Sequence, residues 1–305
     1  MNMSFRATIL LAIGLCGAGA DARDISPQSF IAGPMRAATN SVAVRVEVAQ
    51  AEIKSNINPS NISVATRGGL LFAIADAAID SARAKKAEVV ITPVRNALTG
   101  FDVDALAIDT TRAEMADLSW ISANAATFSK DTSRASQSAY LDTIPENELA
   151  LITYSYDLSP DFSSIRVVEH ISIAHKSNTN SAGGSIKPVD RLSERNLDYS
   201  QSVTSVVILA GAGPDKAANA ALWAADGGRR ARAALATAFA EVNRLTRKSL
   251  NLTPETIQAM NGKENKRVVA NGYSGRLIPG EATGIALLWG PGFVSEQELA
   301  DSVTK

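Results

Sequence analysis

Valines at positions 42, 44, 46 and 48 alternate with Ala43, Arg45 and Glu47, the period-two pattern of a strand with one apolar and one polar face. The polar partners predict a sheet whose second face is wet. An Asn/Pro/Ser turn spans residues 56–60, and Ile62-Ser63-Val64-Ala65 then predicts a short second strand. From Gly69 the period becomes helical, with Leu70, Ile74, Ala77 and Ala78 on one stripe and Arg83, Lys85, Lys86 and Glu88 making the later turns polar. Thr92-Pro93 predicts an interruption, Thr92 capping a second helix that starts at Pro93 and ends at Gly100. Asp102 to Leu118 predicts a further helix opened by the acids Asp102 and Asp104. The Ser/Thr/Asn-rich stretch from Phe128 to Ala139 reads as an exposed linker.

Leu149 to Tyr156 and Ser164 to Ala174, joined by the turn Ser159-Pro160-Asp161, predict an antiparallel hairpin. Residues 177–190 read as a loop and Tyr199 to Leu209 as another strand. The strongest helix is Arg229 to Leu250, where Leu235, Phe239, Val242 and Leu245 recur on one face. Thr253-Pro254-Glu255 starts a short helix, and Val268-Val269-Ala270 and Gly284 to Trp289 predict small strands. These elements predict an α+β fold with a mainly antiparallel sheet and helices packed on one side. It forms a single domain over 41–305, with a small C-terminal β subregion at 264–305, behind an irregular leader at 23–40.

Ahead of the fold, Arg6 precedes the apolar run Ala7 to Leu15 and the small-residue segment Gly17-Ala18-Gly19-Ala20-Asp21-Ala22. A positive start, a short apolar core and an A-x-A site make residues 1–22 a secretory signal peptide, which predicts a periplasmic or cell-envelope protein. Cleavage after Ala20 or after Ala22 competes with a third route, lipidation at Cys16, which the bulky Leu15 before it disfavours. Cys16 is the only cysteine, so a chain cut at either alanine has no thiol, disulfide or Cys-bound metal. The 30 basic and 31 acidic residues are mixed rather than blocked, which argues against nucleic acid as a partner. No later apolar run is long enough for a transmembrane helix.

Chemical candidates are few, and each has a plainer reading. His170 and His175 lie five residues apart on one strand, an odd spacing that points them to opposite faces and away from a shared metal. Gly272-Tyr273-Ser274-Gly275 is followed by Arg276 where a nucleophile elbow needs glycine, so a turn between strands is expected. Val206 to Gly213 runs from an apolar strand into Gly-x-Gly, yet Lys216 stands where a dinucleotide fingerprint needs a third small residue. Neither a cofactor nor a metal is expected. Asp76 and Asp80 share a helix face and could aim two carboxylates at a cation or a sugar, with Arg83 offering Asp80 a salt bridge instead. Arg229, Arg230 and Arg232 form the densest basic spot and read as a hydrated helix face.

Two stretches resemble exported proteins and lipoproteins of Gram-negative bacteria that carry no assigned activity. One runs from Gly68-Gly69-Leu70 through Asp76, Asp80, Arg83 and Lys85-Lys86-Ala87-Glu88 to Pro93-Val94-Arg95-Asn96-Ala97-Leu98, and the other is Tyr156-Asp157-Leu158-Ser159-Pro160-Asp161-Phe162. The resemblance implies an envelope location and brings no catalytic residues. The leading expectation is a non-catalytic envelope protein whose partner is another envelope protein or the membrane surface. A hydrolase of an envelope polymer using Asp76 and Asp80 is one alternative. A small-ligand carrier, which requires a largely apolar cavity between sheet and helices, is the other.

Overall fold

The computed structural model describes residues 40–56, 70–123, 126–176, 197–260, 267–270, 272–278, 285–289 and 292–299. The expected signal peptide with Cys16, Ala20 and Ala22, the leader, the strand at 62–65, the loop at 177–190 and the side chain of Asp76 lie outside what is described. In chain order the elements are β1 (Asn40–Val48), β2 (Lys54–Ser55), α1 (Leu70–Ala97), α2 (Val103–Ala116), β3 (Ile121–Ala123), β4 (Thr127–Ser129), α3 (Arg134–Thr143), β5 (Glu148–Leu158), β6 (Ser164–His175), β7 (Leu197–Ile208), α4 (Lys216–Leu250), α5 (Pro254–Met260), β8 (Arg267–Ala270), β9 (Tyr273–Leu277), β10 (Ile285–Trp289) and β11 (Gly292–Glu298).

The architecture is α+β, and its sheet is mixed rather than mainly antiparallel. The strands run β3-β1-β5-β6-β7-β11-β10-β9-β8, with β4 beside β1 and β2 beside β5. β1 pairs in parallel with β3, β4 and β5, and β7 in parallel with β11. The β5–β6 hairpin is antiparallel as expected. Parallel neighbours need a long crossover, here the stretch carrying α1, α2 and α3 between β1 and β5 and the one carrying α4 between β7 and β11. Alternation along a strand reports which face is buried but not which strand lies alongside, so this pairing was invisible in the pattern.

Val42, Val44, Val46 and Val48 pack with Ile152, Tyr154, Ile171 and Ile173 of the neighbouring strands under α1, α2 and α4. The opposite face of β1 is not wet. Arg45 and Glu47 are buried there by β4 and α3, the segment expected to be an exposed linker. Arg45 donates to Ser129 Oγ at 2.9 Å, to the Asp131 carbonyl at 2.9 Å and to Ser136 Oγ at 2.7 Å, and its guanidinium lies over the Tyr140 ring. Gln137 donates to Glu47 at 2.7 Å. The hydroxyls that made the segment look solvated are the acceptors of a buried cation. Leu141 and Ile144 complete this cover against Ala43, Leu149 and Leu151, so helices occupy both sides of the sheet.

α1 continues through Pro93 where two helices were expected. Thr92 does not cap a new helix but donates to the Glu88 carbonyl at 2.7 Å, and fully buried Ile91 and Val94 on either side hold the run together. The α2 start follows expectation, with Asp102 accepting from the Ala105 N–H at 2.9 Å. α4 breaks at Ala225–Gly228. Gly228 has φ +77°, and a Cβ there would lie 2.8 Å from the Ala97 carbonyl oxygen, so the break seats α4 directly on the end of α1. Arg232 of the supposed hydrated face then donates to the Ala97 and Thr99 carbonyls, closing the C-terminus of α1. Arg229 pairs with Asp226. Among the described residues no helix is long and apolar enough to cross a membrane.

Candidate functional site

The largest chemical contrast lies on α2. Where it meets β1 and β3 it forms a cavity of about 320 Å³ lined by Val44, Thr111, Arg112, Met115, Ala116, Ile121, Ala123 and Ala126. Six of these eight side chains are apolar, while Thr111 and Arg112 make the lining amphipathic. Arg112 is largely exposed and pairs weakly with Asp109 at 3.4 Å, so its charge is available at the rim. Thr111 is buried, and its hydroxyl meets the Tyr154 hydroxyl at 3.0 Å.

Behind Thr111 the inward side of α2 carries Glu114, which meets Glu169 of β6, both with no exposed surface. Tyr154 from β5 and Thr246 from α4 face Glu169, and Arg247 of α4 acts on Glu114 across the core. None of the four carboxyl oxygens completes a hydrogen bond of ordinary geometry, nor does the Thr246 hydroxyl. Burial pushes the Glu169 carboxyl up to about 7. Burial and the adjoining Glu169 raise Glu114 well above the usual carboxylate range, Arg247 opposing. Two like charges in a low-dielectric core cannot both form without a large penalty, so the pair retains protons that exposed acids have lost. Around it, Asn243 donates to the Thr110 carbonyl at 2.9 Å and Tyr199 meets Ser249 at 2.7 Å, fixing α4 to α2 and to β7.

A second cavity of about 220 Å³ lies at the β5–β6 turn, lined among others by Asp157, Ser159, Arg166 and Tyr273. Its cation is neutralised, because Arg166 donates to both Asp157 oxygens at 3.2 and 2.6 Å. The turn is held by Asn219, which donates to the Asp161 and Gly213 carbonyls at 2.9 and 2.8 Å, and by Trp223, which donates to the Phe162 carbonyl at 2.8 Å. Thus Gly211-Ala212-Gly213 is a strand-to-helix corner closed by a side-chain amide.

The remaining candidates are scattered. Asp80 pairs with Arg83 on α1 at 3.8 Å and lines neither cavity. His170 lies near Ser172 Oγ at 3.2 Å, and burial lowers the pKa of its imidazole. His175 contacts Asp198 at 2.8 Å instead. Ser274 stands in the β8–β9 ladder opposite Val269. Glu114 and Glu169 were missed, although Glu169 interrupts the inward series Ile165, Val167, Ile171 and Ile173 and was readable as an acid at an apolar position. Comparison with protein-family models, curated proteins and solved structures found no match.

Proposed function

We propose that this chain is an exported, non-catalytic envelope protein that carries a small amphipathic ligand in the pocket between α2, β1 and β3. The observation that carries the reading is the cavity itself, about 320 Å³ with a mixed polar and apolar wall that includes the Arg112 cation. That volume lies within the range of small-molecule sites and fits an apolar body of modest size, with Arg112 suited to a polar or anionic head. Compared with the largely apolar cavity expected of a carrier, Thr111 and Arg112 add polarity where a head group would sit. The signal-like N-terminus and the resemblance to exported proteins support the address. Another envelope protein remains the proposed partner.

The test uses the anionic apolar dye 1-anilinonaphthalene-8-sulfonate as probe. Saturable binding by the wild type, lost in A116W and A123W, supports the reading. Both alanines are exposed at the cavity lining, so the larger ring enters the pocket without disturbing the core. Binding unaffected by both substitutions contradicts it. Crosslinking and capture from the protein's own envelope, with mass spectrometry of the mature N-terminus, separates Asp21, Arg23 and lipidated Cys16 as starts and identifies any partner.

A further inference from the structure

Glu114 projects into the core from α2 and Glu169 from the sheet, so α2 is held down partly by a contact between two acids. The same helix, through Thr111, Arg112, Met115 and Ala116, forms one wall of the pocket. Thr111 joins the two, because the residue is part of the pocket wall while its hydroxyl meets that of Tyr154, which faces Glu169. We propose that the Glu114–Glu169 pair is a proton-operated latch holding α2 against the sheet, and that it sets how tightly the pocket retains its ligand. The ligand half of this proposal rests on the carrier reading above.

The chemistry follows from donors and charge. A protonated carboxyl donates to its neighbour or to an adjacent hydroxyl, and an acid–carboxylate pair shares a strong hydrogen bond. Two carboxylates have no proton between them and repel in a medium where charges are poorly screened. Opposing that repulsion, α4 supplies only Arg247, whose guanidinium also pairs with Asp117 at the end of α2. β5 contributes Tyr154, and β7 sets Val203 opposite Glu169, its nearest ionisable side chain on that face being Tyr199, tied to Ser249. Losing protons therefore loosens α2, the wall of the pocket, before any other helix.

Amide hydrogen exchange of the mature chain, corrected for intrinsic rates, tests the latch at about pH 5.5 and about pH 8.5, alongside titration with the same dye. The wild type is expected to lose about tenfold protection over Val103–Ala116 at the higher pH, with a fall in dye affinity of about fivefold or more. The E114Q/E169Q variant is expected to hold both nearly constant. Should that variant not fold, infrared titration of the wild type substitutes, the carbonyl band of a buried protonated carboxyl vanishing in step with α2 exchange. Protection of α2 that ignores pH, or a double variant as pH-dependent as the wild type, overturns the latch. A dye that binds at neither pH overturns the pocket and with it the ligand half, while exchange still judges the hold on α2. Unchanged dye affinity in a chain whose α2 does open overturns the coupling alone.

Discussion

Arg45 Nε pairs with Glu47 Oε1 at 2.8 Å, and replacing Arg45 with Met leaves the Glu47 carboxylate without its cation in a site with no exposed surface. Removing one member of a buried ion pair costs about 3–5 kcal/mol, whereas replacing both by apolar groups costs far less. R45M is therefore expected to lose about that much stability in urea unfolding, and R45M/E47L to regain most of it. Gly228 is constrained differently, since φ +77° and a Cβ position 2.8 Å from the Ala97 carbonyl leave no room for a side chain. G228A is expected to lower stability by about 1–3 kcal/mol, read as a reduced Tm. Single residues were legible to the extent that their neighbours repeat. The valine series of β1 announced its buried face, but Arg45 and Glu47 looked like water-facing residues because their cover lies some 90 positions along the chain.

At the scale of elements, β1, β5, β6, β7 and the second half of α4 were readable because long periodic runs carry their own signal. The segment from Thr127 to Thr143 was not, since its serines and threonines serve a guanidinium from another strand rather than water. Pro93 was misleading for a related reason. A proline predicts a break from local chemistry alone, and burial of Ile91 and Val94 overrides it. P93A is accordingly expected to stabilise the chain by about 1 kcal/mol or more, restoring an interior N–H, below the ~3 kcal/mol of an unadapted helix. A capped helix start at Pro93 predicts no gain in the same thermal unfolding experiment.

For the whole molecule, strand pairing and the meeting of α2 with β6 are properties of topology, which periodicity does not encode. They nonetheless shape its response to pH. Unfolded glutamates ionise near 4.5, while burial holds the Glu169 proton to about 7 and, with the neighbouring acid, raises Glu114 in the same direction. In this window the unfolded chain binds fewer protons, so stability is greatest below it and falls as pH rises through it. Chemical denaturation is expected to show that decline in the wild type and a flatter profile in E114Q/E169Q. The central claim, that the α2 pocket carries a ligand, is tested most directly by native mass spectrometry of the protein purified from the cells that make it. The wild type is expected to hold a small molecule, released on denaturation and missing from A116W. A wild type with no bound molecule, or one retained equally by A116W, would contradict the account.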